Sequence, residues 1–495
     1  MERSSGILMP ISALPSPYGI GSLGREAGEF ADFLAMAKQS WWQILPAGPT
    51  SIGDSPYQSQ SAYAGNPWFI DIGLLEQDGL LDKGDAESLF WGDDPSKIRY
   101  DLLYQNRPKL LYKAASRGLS RDAGEVEAFR EREGKWLSDY ALFMALKKHF
   151  GMKSWQKWPD EDLRMRRPDA LAKAKKELAE DVDYYAYIQF LFFRQWEAFR
   201  AEVHEKGIRL MGDMALYVAM DSADVWAAPE NFLLDERNTP VKVAGVPPDQ
   251  FTDDGQLWGN PLYDYEHMAE DGFCWMLDRI RGASRLYDAI RIDHFRGLES
   301  YWAVPYGEDT AKNGTWVKGP GMALVQKIKD SFPDIRFIAE DLGYPTPEVA
   351  VLLKASGFPG MKVLEFSFDS RDPGSLPHTF EKNCVCYSGT HDNDTLKGWL
   401  EHADPADVHL AQRYLGLNQE EGFVRGILRG GMSSQADLFI AQIQDWLGLG
   451  HEARMNTPGT LSGNWQWRIM PGQLTKRLAE EIAEMTNIYG RDPAW

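Results

Sequence analysis

Carboxylates lie at the ends of four of the short apolar runs in this sequence, and they are the side chains best suited to chemistry. The four segments are Gly212-Asp-Met214, Arg291-Ile-Asp-His294, Ala339-Glu-Asp341 and Gly389-Thr-His-Asp-Asn-Asp394. One acidic residue after a strand is common, as a helix cap or a solvated loop residue. Four such ends gathered at one site would repel one another unless a reaction or a bound cation requires them.

Arg291 and Asp293 are two residues apart, so in a strand their side chains point to the same face. An arginine beside an aspartate lowers the pKa of the aspartate and keeps it ionised. An ionised aspartate suits a nucleophile and is unsuited to a general acid. The spacing therefore makes Asp293 a candidate nucleophile.

The other two acidic pairs leave a choice open. Glu340 and Asp341 are adjacent, so only one of them faces the site in a regular strand, and Asp392 and Asp394 pose the same problem. An ionised aspartate together with a carboxylic acid of raised pKa is what retaining glycoside cleavage requires. The alternative is a magnesium or calcium site, because clustered carboxylate oxygens also bind these ions.

Eight short apolar runs supply the strands that must position these residues. They cover residues 6–10, 42–46, 208–216, 288–295, 336–342, 361–368, 383–388 and 453–456. Several are apolar throughout, as strands of a parallel sheet buried on both faces are. Helical or mixed segments separate the runs, which predicts a (β/α)8 barrel with its active site at the carboxyl ends of the strands. The alternative is a doubly wound open sheet, but no glycine-rich dinucleotide motif follows the first run.

Three segments between or after these runs have helical patterns. Residues 23–40 carry an apolar face, residues 347–356 begin after Thr346 as a plausible N-cap, and residues 473–486 close the chain. Only a helix fits the chain after residue 470, so no all-β C-terminal domain is expected.

The uneven spacing of the runs predicts two insertions in one catalytic barrel that spans residues 1–495. Residues 50–206 form a mostly helical insertion, with helices over 126–150 and 168–206. Residues 217–285 form a second insertion, a lid on the acceptor side, whose stretches 246–249 and 255–261 are too rich in proline and glycine for helix or strand. Phe251 and Trp258 argue against disorder there.

Composition narrows the class of protein. The chain has 495 residues and a net charge of −20, which argues against nucleic acid or an anionic membrane surface as a partner. Three cysteines indicate free thiols in a reducing cytosol, and none has the spacing of a zinc site. The most apolar stretch, 184–193, has about half the length of a membrane span. We therefore expect a cytoplasmic protein.

The motifs together resemble one family, the 4-α-glucanotransferases of the amylomaltase or disproportionating-enzyme type, which are relatives of the α-amylases. The resemblance rests on the four carboxylate segments above, extended to Arg291-Ile-Asp-His-Phe-Arg-Gly297 and Ala339-Glu-Asp-Leu-Gly343, and on Gly53-Asp-Ser-Pro-Tyr-Gln58, Ser61-Ala-Tyr-Ala-Gly-Asn-Pro67, Gly245-Val-Pro-Pro-Asp249 and Leu257-Trp-Gly-Asn-Pro261. The motifs run in the family's order over nearly the whole chain. The resemblance implies a (β/α)8 barrel with subdomains inserted in its loops.

The resemblance also implies roles for individual residues and resolves both open choices. Asp293 matches the nucleophile, Glu340 the general acid/base and Asp392 a third carboxylate that stabilises the transition state. The substrate-binding residues it implies are Tyr57, Asp213, Arg291 and His391 around the transferred sugar, Trp258 and His294 on the acceptor side, and Asn464, Ser55 and Asp369 on the donor side. The family needs no metal or organic cofactor.

The activity that the resemblance implies is transfer of an α-1,4-glucan segment to the 4-hydroxyl of an acceptor glucan or glucose. One alternative is an α-amylase-like retaining hydrolase, which the lack of an all-β C-terminal domain disfavours. The other is a catalytically idle glucan-binding protein, which would need a damaged carboxylate set, whereas this set is intact. The expected partners are α-1,4-glucans and maltooligosaccharides, with no nucleic acid or membrane, and both monomer and homodimer are compatible with the sequence.

Overall fold

The computed structural model describes residues 2–51, 53–249, 252–343, 345–460 and 462–492. Twelve strands lie in these residues. They are β1 (Ser4–Leu8), β2 (Trp41–Gln43), β3 (Arg209–Met214), β4 (Lys242–Val246), β5 (Gln256–Pro261), β6 (Ala289–Ile292), β7 (Ser300–Pro305), β8 (Thr315–Lys318), β9 (Arg336–Ala339), β10 (Gly360–Val363), β11 (Cys384–Tyr387) and β12 (Leu438–Gln442).

Eight of these strands form a parallel barrel. Their order is β10-β11-β12-β1-β2-β3-β6-β9. The two ends of this order meet, because the backbone N–H of Ala339 in β9 donates to the carbonyl of Pro359 just before β10, at 2.9 Å. The barrel residues are almost entirely buried, as the continuous apolar runs predict. The predicted (β/α)8 barrel is therefore confirmed, and the open sheet is not.

Seven of the eight predicted runs overlap a barrel strand, and the eighth is wrong. Residues 453–456 contain the end of a short 3-10 helix, His451–Ala453, and the eighth strand is β12. β12 pairs in parallel with β1 and β11, and all five of its residues are buried. Its apolar residues are followed by Gln442 and then by a helical turn, Ile443–Trp446, which begins and ends with apolar residues, so apolarity alone did not separate strand from helix.

Helices surround the barrel and fill the long connections. The α-helices of the described residues are α1 (Arg25–Met36), α2 (Ile72–Gln77), α3 (Tyr100–Arg121), α4 (Ala123–His149), α5 (Glu161–Arg164), α6 (Pro168–Glu177), α7 (Ala179–Glu205), α8 (Ala223–Ala227), α9 (Tyr265–Glu270), α10 (Cys274–Leu286), α11 (Met322–Ser331), α12 (Pro347–Ser356), α13 (Leu364–Ser367), α14 (Leu396–His402), α15 (Pro405–Leu415), α16 (Phe423–Ser433), α17 (Ile443–Trp446) and α18 (Lys476–Ile488). None of them is both long and apolar enough to cross a membrane.

Local signals in the sequence fix several helix ends. Thr346 caps α12 by accepting from the N–H of Val349, and Gly357, with φ +73°, ends that helix in the left-handed region. The closing helix α18 begins three residues later than predicted, because Thr475 accepts from the N–H of Leu478 and is its N-cap. No strand follows β12 in the described part of the chain.

The chain between β2 and β3 contains α2 to α7. The predicted helix over 168–206 is two helices, α6 and α7, which break at Leu178. The apolar stripe of α7 is buried, including Ile188, Leu191 and Phe199. The sequence patterns missed α3, a helix of 22 residues that continues through Pro108. A proline inside a helix removes one backbone hydrogen bond and so argues against a helix, whereas packing stabilises this one.

A second, antiparallel sheet lies outside the barrel, in the order β5-β4-β7-β8. Its strand β5 covers most of residues 255–261, so the expectation that this stretch is too irregular for a strand is wrong. β5 is an edge strand, where proline and glycine are tolerated because one side of the strand makes no ladder hydrogen bonds. The register between β4 and β5 also shifts between Val243 and Gly245, and this irregularity accommodates the unusual composition.

Candidate active site

Arg291 joins two carboxylates at the carboxyl ends of neighbouring strands β3 and β6. Its Nη1 donates to both oxygens of Asp213, at 2.8 and 2.6 Å, and to Oδ1 of Asp293, at 3.0 Å. The side chains of Arg291 and Asp213 are 5% and 0% exposed, whereas that of Asp293 is 29% exposed. Arg291 and Asp293 share a face, as the alternation of the strand predicts, and Asp293 is the member of this trio that a substrate can reach.

Glu340 follows β9 and lies against the strand end that carries Asp293. Its Oε2 accepts from the backbone N–H of His294, and its Oε1 accepts from that of Leu342, both at 2.8 Å. Asp341 turns away and accepts from the backbone N–H of Met361 in β10, at 2.7 Å. The structure therefore brings Glu340, and not Asp341, to Asp293.

The two carboxyl groups hold protons more tightly than isolated side chains do. Burial raises the pKa of Asp293, and the nearby carboxylates of Asp213, Glu340 and Asp392 add to this effect, while Arg291 opposes it. Burial also raises the pKa of Glu340, against Arg291 and two backbone hydrogen bonds. The expectation that Arg291 keeps the pKa of Asp293 low is wrong, because one arginine faces several carboxylates at a buried site. A raised pKa of Glu340 suits a group that must deliver a proton.

The loop after β11 separates the second pair of candidates. Oδ1 of Asp392 accepts from Nδ2 of Asn456 at 2.6 Å and lies 3.3 Å from Nε2 of His391. Asp394 points elsewhere, with its Oδ2 at 2.7 Å from Nδ1 of His451. The structure thus groups Asp392 with His391. The sequence patterns do not identify Asn456 as a site residue, although it lies in the run 453–456, which they predict to be a strand.

Tyr57 lies beside this loop and beside Asp213. Its hydroxyl donates to Oδ2 of Asp213 at 2.7 Å, and its ring stacks on His391 with centroids 5.0 Å apart. Trp465 packs against both rings, at 6.0 and 5.8 Å, and no sequence pattern had singled it out. Burial lowers the pKa of His391 and raises that of Tyr57, so both side chains are neutral near pH 7. Together they form an aromatic wall at the barrel mouth.

A second aromatic group lies next to Asp293. The rings of Trp258 and His294 meet edge to face, with centroids 4.8 Å apart, and Tyr217 lies 6.4 Å from each. His294 has φ +50°, a left-handed conformation that is uncommon outside glycine. Burial lowers the pKa of His294 to about 3, so its imidazole is neutral. Trp258 lies in β5, which places the small sheet beside the site, and Phe251 lies outside the described residues.

The three remaining candidates, Ser55, Asn464 and Asp369, make no direct hydrogen bond to the catalytic carboxylates among the contacts of the described residues. Oγ of Ser55 accepts from the N–H of Tyr57 at 3.2 Å, which places it at the aromatic wall. Oδ1 of Asn464 accepts from the N–H of Thr457, the residue after Asn456. Asp369 pairs with Arg371 at 2.8 Å in the loop after α13, and this pairing lowers its pKa. The structure does not join Asp369 to the catalytic candidates.

The position of Arg291 disfavours the alternative of a cation site. It supplies the positive charge that Asp213 and Asp293 require, so their proximity needs no metal ion to explain it. Both oxygens of the Glu340 carboxyl group accept hydrogen bonds from backbone N–H groups. The arrangement is one ionisable carboxylate held by an arginine, one neighbouring carboxyl of raised pKa, and aromatic side chains on two sides. Such an arrangement fits cleavage of a sugar with retention of configuration.

Known proteins share this fold and these motifs. A family model described as 4-α-glucanotransferase matches residues 9–475. The 4-α-glucanotransferase of Clostridium butyricum is 49% identical over 487 residues, which cover 98% of this chain and 100% of that protein. That of Thermus thermophilus is 47% identical over 504 residues, and 99% of each chain is covered.

Solved structures agree with these matches. The amylomaltase of Streptococcus agalactiae in complex with acarbose superposes with a TM-score of 0.96 at 41% identity, covering 99% of this chain and 100% of that one. The amylomaltase of Corynebacterium glutamicum shares the fold, with a TM-score of 0.79 at 21% identity, over 98% of this chain and 75% of that one. The chain belongs to glycoside hydrolase family 77, the 4-α-glucanotransferases. The family resemblance inferred from the motifs is thereby confirmed.

Proposed function

We propose that this enzyme transfers a segment of an α-1,4-glucan to the 4-hydroxyl of an acceptor glucan or glucose, with retention at the anomeric carbon. The observation that carries the proposal is the contact between the two strand ends, in which Glu340 is held by the N–H that directly follows Asp293. The chain's membership of the family, at 49% identity to a named 4-α-glucanotransferase, supports the same reaction.

In the first step, the glycosidic bond of the donor glucan breaks. Glu340, whose raised pKa favours its protonated form, gives its proton to the departing oxygen. Asp293 attacks the anomeric carbon in its ionised form, which the charge and hydrogen bond of Arg291 favour, and forms an ester with the non-reducing part of the glucan. The piece with the reducing end leaves with a free 4-hydroxyl.

In the second step, the ester is resolved by the acceptor. Glu340 takes the proton of the acceptor's 4-hydroxyl, and the oxygen attacks the anomeric carbon. The bond to Asp293 breaks, and its carboxylate is restored. Two inversions give net retention, and the number of reducing ends stays constant.

The other members of the site hold the sugar in the transition state. Arg291 donates to the carboxylate that Asp293 regains when it leaves, and Asp213 fixes the guanidinium from its other side. Asp392 faces the oxocarbenium-like sugar as a third carboxylate, held in place by Asn456. Tyr57 and His391 offer an aromatic face to the same sugar. Ser55, Asn464 and Asp369 are proposed as donor-side contacts.

Transfer instead of hydrolysis requires that an acceptor sugar outcompete water. Trp258 and His294 form an apolar surface directly beside Asp293, where an acceptor would stack. Such a surface stabilises the transition state with a sugar acceptor and displaces water from the ester. The insertion over 217–285 is proposed as the acceptor-side lid, and that over 50–206 as a helical support of one catalytic barrel that spans 1–495.

Incubation with maltotriose tests the proposal directly. We expect glucose and a ladder of longer maltooligosaccharides at a constant number of reducing ends. Maltose and glucose with a rising number of reducing ends would favour the α-amylase-like hydrolase. Binding of glucans with no products would favour a glucan-binding protein.

We also propose a cytosolic location and a role in maltose, starch or glycogen metabolism. Cys274, Cys384 and Cys386 are free thiols, which persist in a reducing compartment. Cell fractionation with an activity assay tests the location. Light scattering on the purified protein distinguishes the monomer from the homodimer.

A further inference from the structure

Asp394, His402 and His451 form a cluster on the outer side of the loop that carries Asp392. One ligand atom of each residue lies within 4.8 Å of the other two. Oδ2 of Asp394 is 2.7 Å from Nδ1 of His451 and 3.6 Å from Nδ1 of His402. The two imidazole rings lie 5.3 Å apart and nearly perpendicular, at 84°. Both rings therefore direct a nitrogen towards the same carboxylate oxygen.

The cluster joins three separate elements. Asp394 lies before α14, His402 is the last residue of α14, and His451 begins the 3-10 helix His451–Ala453. Asp394 is held rigidly, because its Oδ1 accepts from the N–H of Thr395 at 2.8 Å. The two histidines are more exposed, at 59% and 54%, while Asp394 is 12% exposed. A fixed acidic ligand and two adjustable imidazoles are thus open to solvent.

A glycine inside α14 makes room for the acidic ligand. A Cβ at Gly398 would lie 2.3 Å from Oδ1 of Asp394, closer than any side chain tolerates. Glycine in a helix interior is unfavourable by itself, because it loses more backbone freedom than other residues. Here it lets the carboxylate of Asp394 approach the helix that carries His402. The local backbone is therefore adapted to the position of this carboxylate.

We propose that Asp394, His402 and His451 bind a divalent transition-metal ion of the zinc and nickel class, with water completing the coordination. Two imidazole nitrogens with one carboxylate suit these metals better than magnesium or calcium, which prefer oxygen ligands alone. Metal–ligand distances of about 2.0–2.2 Å place tetrahedral ligand atoms roughly 3.3 Å apart. The separation from Asp394 to His402, 3.6 Å, is close to this value, and that to His451, 2.7 Å, has to lengthen by a fraction of an ångström. The two imidazole nitrogens lie within 4.8 Å of each other, and the exposed rings can turn to bring them to a metal-binding separation.

The ion would link the two segments that position Asp392, namely its own loop and the segment from His451 to Asn456. Asp392 and Asp394 lie on the same loop, and His451 lies three residues before Arg454. Arg454 donates to the backbone carbonyl of Asp392 at 2.6 Å, and Asn456 donates to its carboxylate. Metal binding would therefore stabilise the folded enzyme, because a ligand that binds only the folded state raises its stability by mass action. This site is separate from the proposed glycosyl transfer and does not depend on it.

Titration of the chelator-treated, full-length enzyme with nickel chloride or zinc chloride tests the site. We expect one equivalent of metal per chain by isothermal titration calorimetry, and a Tm that rises with metal concentration. The His402→Gln and His451→Gln variants should each bind at least about tenfold more weakly, because each loses a ligand. His267→Gln, which removes an exposed histidine of α9, is the matched control and should bind as the wild type does.

A spectroscopic measurement keeps the test independent of stability. Cobalt chloride bound by nitrogen ligands in a four-coordinate site gives visible absorption bands, and we expect them in the wild type and in His267→Gln but not in His451→Gln. Binding that is unchanged in both His402→Gln and His451→Gln would overturn the proposal, since the metal would then be held elsewhere. Failure of the wild type to bind nickel or zinc below millimolar concentration would overturn it as well.

Discussion

The carboxylate of Glu340 accepts a hydrogen bond of 2.8 Å from the backbone N–H of His294. This contact ties the end of β9 to the end of β6, where Asp293 immediately precedes His294. The proposed proton donor is therefore positioned by the same strand end that carries the proposed nucleophile. The carboxyl group of Glu340 is therefore positioned by backbone atoms, while that of Asp293 is positioned by the guanidinium of Arg291.

Replacement of Asp293 tests the nucleophile. We expect Asp293→Asn to lower the rate of maltotriose disproportionation by at least about 10⁴-fold, because the ester can no longer form. Asparagine is isosteric and can still accept from Arg291, so the Tm should stay close to that of the wild type. Turnover near the wild-type level in a folded variant would contradict the assignment.

The adjacent pair Glu340 and Asp341 offers a matched comparison. We expect Glu340→Gln to lower the rate on maltotriose by about 10²–10⁴-fold, as loss of a general acid does. The loss should be smaller on a maltosyl donor with an activated leaving group, which needs no proton in the first step. Asp341→Asn still accepts from the N–H of Met361 and should keep activity within about tenfold. A larger loss in Asp341→Asn than in Glu340→Gln would reverse the assignment.

Trp258 is expected to favour transfer over hydrolysis. Trp258→Ala should raise the ratio of hydrolysis to transfer at least about threefold, which corresponds to at least about 0.6 kcal/mol of acceptor stabilisation in the transition state. The ratio is measured as the increase in reducing ends against the glucose released from maltotriose. Leu257→Ala changes the preceding, exposed residue of β5 and is the control. An unchanged ratio in Trp258→Ala would show that this residue does not favour the sugar acceptor over water.

Asn456 is expected to be a positioning residue for Asp392. Asn456→Ala removes a hydrogen bond of 2.6 Å to a carboxylate, and such bonds are worth about 1.5–3 kcal/mol. We expect kcat to fall by about tenfold or more while KM changes little, because Asp392 acts mainly in the transition state. A purely structural role would lower the Tm without this division between kcat and KM.

Asp445 should make the stability of the enzyme decrease as pH rises. It is buried, it accepts from Ser388 and from the N–H of Leu396, and burial raises its pKa to about 7. Between the pKa of an unfolded aspartate, about 3.9, and about pH 7, the unfolded chain has lost this proton while the folded chain keeps it. Folding stability therefore falls across this range, and the cost is complete above it.

Asp445→Asn removes this dependence, because asparagine does not titrate. The Tm of the variant minus that of the wild type should become more positive between pH 4.5 and pH 8. Thermal unfolding followed by circular dichroism at the two pH values gives this difference. A difference that is constant or falls with pH would contradict the raised pKa.

The sequence determined the features that depend on neighbouring residues. Apolar runs predict seven of the eight barrel strands, because a strand buried on both faces is apolar over its whole length. The alternation of Arg291 and Asp293 and the N-cap at Thr346 are equally local and are found in the structure. The family motifs then assigned roles to residues that spacing alone left open.

The tertiary structure decided what depends on residues distant in the chain. The identity of the eighth strand follows from the pairing of β12 with β1, more than 400 residues away, and not from its composition. Glu340 faces Asp293 because the N–H of His294 lies there, whereas the N–H of Met361 draws Asp341 away. The pKa of Asp293 is raised, and not lowered, because burial and three carboxylates from other strands outweigh the one arginine that the sequence placed beside it. Electrostatic interactions sum over every neighbour in space, and only the fold determines which neighbours these are.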